Sequence, residues 1–293
     1  MQLHQLGYFV AVADARHFTR AAEQVGVAQP TLSQQVRALE RDLGATLIAR
    51  RPGGIELTAA GEELLPIARR ILADADTARR ALTELADLKR GRVRLGATPS
   101  LCTGLLPQIV AEYHRTNPGV GIVITEGGSQ DLRARLDDAE LDLALLTDGH
   151  TREQHGLQTT PLFVEELVVI SSVDAAPPTT RARLAITDLR DTPLVMFRAG
   201  YDLREQTTTA CREHGFEPRF AVEGAEMDAV LRFVAAGVGA ALVPATVATG
   251  ERFRVTPLRP PGLGRTVLLA RRTGIELPRA ATELERRLLA LAS

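Results

Sequence analysis

The sequence predicts an α/β chain in three parts: a small helical head with a short hairpin, one long helix, and a larger two-lobed body of strands and helices. Three observations predict this. Residues 18–57 follow a helix, tight turn, helix and hairpin pattern; apolar residues recur at alternating spacings of four and three from Leu64 to Leu85; and beyond Val93 strand-like and helix-like runs alternate.

In the head, a helix is expected from about Thr19 to Val25, with Thr19 as its cap and Ala21-Ala22 small enough to let a second helix cross closely. Gly26 ends it, because a glycine past a helix takes the left-handed conformation that turns the chain sharply. The second helix opens at Gln29-Pro30, proline being tolerated in a first turn, and stops at Gly44. Its apolar stripe is Leu32, Val36, Leu39 and Leu43, and its polar face carries Thr31, Ser33, Gln34, Arg37 and Arg41. Those side chains can donate and accept hydrogen bonds at base edges and phosphates. Between Thr46 and Leu57, two short apolar runs flank Arg50-Arg51-Pro52-Gly53-Gly54, a basic turn suited to phosphates or the minor groove. Thr58 caps the next helix, whose first turn holds Glu62 and Glu63, the favoured sign at that end.

These residues resemble the amino-terminal module of the LysR-type transcriptional regulators. The resemblance rests on Phe9 with Val12-Ala13, Phe18-Thr19, Ala21-Ala22, Val27 to Pro30, Leu32-Ser33-Gln34, Leu39-Glu40, Leu43-Gly44, Arg50, Leu57-Thr58 and Gly61. Three positions depart from it: His17 for a frequent serine, Ala28 for a frequent serine or threonine, and Ile48 for phenylalanine. The first two changes are expected to remove helix caps worth about 1 kcal/mol each. The resemblance implies a winged helix-turn-helix in which Gln29, Pro30, Ser33 and Gln34 contact bases, with Thr31 on the same face. Arg37, Arg50 and Arg51 would meet phosphates or the minor groove.

Composition alone does not suggest this. The net charge of −1 lacks the basic excess of proteins that bind nucleic acid over their whole surface, so basic groups must act locally. Lys89 is the sole lysine; arginine supplies the other positive side chains. No signal peptide or membrane span is legible, and Cys102 and Cys211 have no metal-type spacing, so the expectation is a reduced cytoplasmic protein.

Beyond Thr58 one helix is expected to reach about Leu88. Leu64, Ala68, Ile71, Ala75, Ala78, Leu82 and Leu85 form a heptad seam, which predicts pairing with a second copy of the chain. Pro66 lies inside and is expected to kink the first turns. Two heads on a dyad would read an interrupted palindrome, and in the resembled family the corresponding helix is the dimer linker.

After Lys89-Arg90-Gly91-Arg92, the runs RVRLGAT, LLPQIVAEYHRTNP, VGIVITEG, QDLRARLDDAE and LDLALL make a βαβαβ beginning and predict a parallel sheet wrapped by helices. A long strand from Leu162 to Ser172 leads to a second set: LVMF, a helix Leu203 to His214, FAVEG, a helix Met227 to Ala236, and GAALVP. Thr266 to Arg271 returns as a strand and Pro278 to Leu291 as a final helix. Crossings near Pro161-Leu162 and Gly264-Thr266 predict two lobes with a cleft and a hinge, an arrangement that binds small molecules.

Leu106-Pro107 with Pro118, Glu126-Gly127, Leu141 to Ala144, and Gly237-Val238-Gly239 with Pro244 resemble the LysR effector domain and, more distantly, periplasmic solute-binding proteins. That implies effector contacts at Thr98, Ser100, Leu101, Cys102, Ser129, Phe197, Tyr201, Asp202 and Met227. Ser100 and Ser129 stand near helix starts, where free N–H groups attract carboxylates but where hydroxyls also serve simply as caps. Gly200-Tyr201-Asp202-Leu203-Arg204 followed by Cys211 is similar to the redox loop of peroxide-sensing members, with Asp202 where their reactive cysteine stands. Without that thiolate no sulfenic acid forms there, and Arg204 is expected to pair with Asp202 or with a ligand.

No Gly-rich phosphate loop is present, the histidines are scattered, and Ser100 has no partner base, so catalysis, cofactors and bound metals are not expected. The expected organisation is a DNA-binding domain over 1–58 with its helix-turn-helix at about 18–37, a linker and dimerisation helix over 59–90, and an effector-binding domain over 91–293. Lobe I would span about 91–161 and 267–293, and lobe II about 162–266. The expected partners are a double-stranded DNA operator with dyad symmetry, a small-molecule effector for which a small organic anion fits, and further copies in a homodimer or homotetramer. RNA polymerase is a further candidate; no membrane is expected. Alternatives are a thiol-based redox regulator of the same fold and, in a different class, a solute-binding receptor.

Overall fold

The computed structural model describes residues 1–51, 54–86, 91–147 and 156–292. Backbone contacts divide it into two units, Met1–Ala86 with Asp137–Glu140, and Asp87–Leu136 with Leu141–Ser293, and each stands by itself.

The head comprises α1 (Leu3–Ala15), α2 (Phe18–Gln24), α3 (Gln29–Leu43), the antiparallel strands β1 (Ile48–Arg51) and β2 (Gly54–Leu57), and α4 (Ala59–Ala86). Leu6, Phe9 and Val12 of α1 meet Leu32, Val36 and Leu39 of α3 in one core, where Ala21 and Ala22 let α2 approach closely. The turn depends on Gly26 at φ 70°, and Gly44 closes α3 in the left-handed region.

Two sequence expectations change here. The cap of α2 is His17 rather than Thr19: the His17 ring Nδ1 accepts the Thr19 N–H at 3.2 Å, so the exchange of serine for histidine keeps a cap. Leu43, expected on the buried stripe, is 40% exposed, because it occupies the last position of α3, beyond the reach of α1. Ala28 provides no side-chain cap, as expected of alanine.

The hairpin is fixed to α3 by Glu40, whose carboxylate accepts the N–H groups of Leu47 at 2.8 Å and Ile48 at 3.2 Å. Thr58 accepts the Gly61 N–H at 3.1 Å and donates to the Thr46 carbonyl at 2.6 Å, tying the start of α4 to the start of the hairpin.

The seam on α4 divides differently from the sequence expectation. Ala68 is fully buried in the head's own core, with Leu64 and Ile71 packed beside it, so the first turns serve this chain's head. A stripe facing its own domain can keep the same spacing as a coiled-coil seam, and α1 supplies the facing surface. Ala75 is half-buried and Ala78 exposed, while the side chains of Leu82 and Leu85 lie outside the described set. Pro66 sits within α4, which continues through it.

The second unit runs β3 (Gly91–Ala97), α5 (Pro99–Thr103), α6 (Leu106–Thr116), β4 (Val120–Glu126), α7 (Ser129–Asp137), β5 (Leu143–Thr147) and β6 (Leu157–Ser172). It continues through β7 (Leu194–Phe197), α8 (Asp202–Glu213), β8 (Phe220–Ala225), α9 (Met227–Ala235), β9 (Ala241–Pro244), β10 (Phe253–Pro257), β11 (Gly264–Arg272) and α10 (Arg279–Leu289). The main sheet has the order β10-β6-β11-β5-β3-β4, with β9 also on β6, and β7 and β8 form a separate parallel pair.

The main sheet is mixed rather than wholly parallel. β3 pairs in parallel with β4 and β5, but β11 is antiparallel to both β5 and β6. The two long strands pass between the lobes in opposite directions, which forces the antiparallel pairing. β6 starts five residues before the expected Leu162 and serves both cores: Leu162 joins Val93, Leu95, Leu143 and Leu284, while Leu167 to Ile170 join Val195, Leu203, Val230 and Leu242. The core around Leu167 to Ile170 belongs to one lobe, the cores around Leu162 and around Leu132, Leu146 and Leu268 belong to the other, and β6 runs through both lobes.

Candidate functional site

On the head, Pro30, Thr31, Gln34 and Arg37 are exposed along one face of α3, and Gln29 is half-exposed at its start. A groove of about 860 Å³ runs beside them to Gly44 and Thr46, with Ser33 in its wall. Ser33 is only 8% exposed, deeper than a place on the open polar face implies. It lies one residue past Leu32, at the edge of the stripe that α1 covers. Arg50 and Arg51 belong to β1, opposite Ile55 and Gly54, but their side chains lie outside the described set.

In the body, polar residues buried between the lobes form two clusters. The first is built on β6 and β11, whose register places Arg265 directly opposite Glu165. Arg265 Nε and one terminal nitrogen bind Glu165 Oε2 at 2.9 and 2.7 Å, and the two side chains are 1% and 2% exposed. The same nitrogen donates to Ser100 Oγ at 2.7 Å, and Thr246 donates to the other Glu165 oxygen. The remaining terminal nitrogen of Arg265 is buried with no acceptor. Ser100 N–H donates to the Tyr201 hydroxyl at 3.1 Å, joining α5 of one lobe to the start of α8 in the other. Burial pushes the Tyr201 phenol well above its usual range, so it stays protonated.

The second cluster centres on Asp202. Its Oδ2 accepts two hydroxyl hydrogen bonds of 2.6 Å each, from Ser129 and from Thr147. Ser129 Oγ in turn accepts the Thr147 N–H at 3.0 Å.

Of the sequence-derived effector positions, Thr98, Ser100, Ser129, Tyr201 and Asp202 therefore meet in these two clusters, Thr98 lying 3.4 Å from Ser100 through its hydroxyl. Leu101, Phe197 and Met227 are core residues at 0–1% exposure, with Phe197 stacked on Tyr201 at 4.7 Å. Arg204 does not pair with Asp202: it donates to the Phe197 carbonyl and to Glu223, both at 2.8 Å, because its position two residues into α8 turns it toward β8. Sequence reasoning missed Thr147, Glu165, Thr246 and Arg265. The available signal was the acidic pair Glu165-Glu166 interrupting an apolar strand run and Arg265 just ahead of the run Val267 to Ala270.

Both cysteines are free, and burial pushes both thiols up, Cys102 to about 12 with Glu126 adding to the shift and Cys211 to about 11 with Glu217 adding. Neither is a thiolate near neutrality, the form that peroxide oxidises. Among the described residues no helix is long and apolar enough to cross a membrane.

Comparison with known proteins assigns both units. Residues 3–62 match the family model "Bacterial regulatory helix-turn-helix protein, lysR family", and residues 86–293 match "LysR substrate binding domain". The chain is 33% identical over 281 residues to the hydrogen peroxide-inducible genes activator of Pectobacterium carotovorum subsp. carotovorum, covering 94% of this chain and 92% of that protein. It is 32% identical over 286 residues to the transcriptional dual regulator GltC of Bacillus subtilis, covering 97% and 95%. Among solved structures, full-length OxyR from Pseudomonas aeruginosa with a cysteine-to-aspartate substitution superposes with a TM-score of 0.73 at 30% identity, over 99% of this chain and 98% of that one.

Proposed function

The chain belongs to the LysR-type transcriptional regulators, and on that premise we propose that it reads a two-half-site operator through α3 and changes its grip when a small organic anion enters the cleft between the lobes. The observation that carries the DNA reading is the exposed row Pro30, Thr31, Gln34 and Arg37 beside an open groove, on a helix whose opposite face, Leu32, Val36 and Leu39, is sunk in the head's core. Gln34 and Gln29 are the base-reading amides and Arg37 the phosphate contact, and Arg50 and Arg51 of the hairpin are further phosphate or minor-groove contacts. The carboxyl-terminal turns of α4, from Ala75 onward, pair two copies, as homodimer or dimer of dimers, and the chain works in the cytoplasm as a regulator rather than an enzyme.

The leftover nitrogen of Arg265, buried without an acceptor, supports an effector that carries one. Ligand entry would shift the population of lobe arrangements and, through the paired helices, the spacing of the two reading heads. The relatives named for hydrogen peroxide suggest a redox trigger, but Asp202 stands where the peroxide-sensing members carry their reactive cysteine, and the two thiols present are pushed up to about 12 and about 11, which disfavours it.

Selection from random DNA with the full-length chain, followed by footprinting, tests the reading. Two protected half-sites related by a dyad, spaced by whole helical turns, are expected. A chain that enriches no sequence would refute it.

A further inference from the structure

We propose that Asp202 is a tethered ligand of the effector cleft: its carboxylate occupies the Ser129 and Thr147 hydroxyls in the place a free small carboxylic acid would take. The inference rests on the reading of this cleft as an effector site.

Asp202 opens α8 in one lobe, whereas Ser129 opens α7 and Thr147 ends β5 in the other. Both hydroxyls donate to the same carboxylate oxygen at 2.6 Å, the short range of charge-assisted O–H bonds. Ser129 Oγ already accepts the Thr147 N–H, which commits its own proton outward. This is a preorganised carboxylate receptor at the start of a helix, and its occupant comes from the same chain.

The backbone is cut to bring that occupant in. A Cβ on Gly128 would stand 2.6 Å from the Gly200 carbonyl, and Gly200 itself has φ 78°, so two glycines let the loops before α7 and α8 touch. Arg204, the nearest cation in sequence, is committed to Phe197 and Glu223 and leaves the carboxylate to the hydroxyls. The start of α8 thus supplies this subsite with a carboxylate of the chain's own.

Removing the tether should convert the subsite into one for a free acid. Full-length Asp202→Ala lacks a group the size of formate, and Asp202→Gly one the size of acetate. In thermal melts, sodium formate should raise the Asp202→Ala midpoint saturably, by about 2–5 °C over sodium chloride at equal ionic strength, and acetate should do the same for Asp202→Gly. The parent chain should show no difference between the salts. Adding Ser129→Ala and Thr147→Val should abolish the response.

A variant that is soluble only when refolded in its matching acid also supports the tether. No acid-specific response in either variant, a response that survives loss of both hydroxyls, or insolubility in every salt overturns it. Operator affinity in the same samples separates the two readings: if formate restores the midpoint but leaves operator affinity unchanged, the tether stands and the effector reading falls.

Discussion

The Glu165–Arg265 pair offers the sharpest energetic test of the cleft. With side chains 2% and 1% exposed and contacts of 2.7 and 2.9 Å, neither charge retains much water. Glu165→Met leaves the guanidinium buried with Ser100 as its remaining acceptor, strands the Thr246 hydroxyl, and adds a second unpaired nitrogen to the one already present. Breaking such a pair costs about 3–5 kcal/mol, whereas replacing both members with apolar side chains is often neutral. Taking a urea slope of about 3 kcal/mol/M, either single variant should lower the effector-domain midpoint by about 1–1.7 M. The double variant Glu165→Met, Arg265→Met should return to within about 1 kcal/mol of the parent, giving a coupling energy of several kcal/mol. Circular dichroism during urea unfolding reads this directly. Single variants within about 1 kcal/mol of the parent, or a double variant equal to the sum of the singles, would refute the claim that these charges are desolvated and mutually dependent.

Three further outcomes follow from other parts of the molecule. With thiols at about 12 and 11, Cys102 and Cys211 should alkylate in the folded chain at pH 8 on the order of a hundredfold or more slower than free cysteine, and peptide mass spectrometry after peroxide should find both reduced. Ala68→Asp should destabilise the head by several kcal/mol at any protein concentration, because it buries a charge in this chain's own core; Leu82→Arg should instead shift sedimentation toward monomer, and equal behaviour of the two variants would contradict the division of α4. Hydrogen bonds from Arg286 and Arg287 hold the Glu283 carboxyl down to about 2, so the stability difference between the parent and Glu283→Gln should be full above pH 4.5 and vanish as pH falls toward 2.

Local signals in the sequence carried much of the fold. Gly26 and Gly44 punctuate α2 and α3 where their left-handed backbone is needed, and the strand and helix runs of the body recur in the expected order. What sequence could not settle was set by pairing between distant segments. A stripe at spacings of four and three fits a neighbouring α1 as well as a second copy, and Ala68 went to α1. Glu165 and Arg265 meet only because β6 and β11 pair antiparallel in one register, and the two residues are 100 positions apart. Thr147 is an ordinary strand-end threonine until α8 delivers Asp202 against it. Similarity to the redox loop implies that Arg204 pairs with Asp202 or with a ligand, but its helical position turns it toward Glu223. His17, counted as a lost cap, serves as one through a ring nitrogen.

The central claim is that α3 reads bases, and it rests most directly on Gln34, exposed at the open groove. Fluorescence anisotropy of the full-length chain and of Gln34→Ala, on the selected operator and on random DNA at one fixed salt concentration, measures it. The account predicts an operator-specific loss of about 1–3 kcal/mol with nearly unchanged binding to random DNA. An equal loss on both sequences would make Gln34 a backbone contact, and no loss on either would contradict α3 as the reading helix.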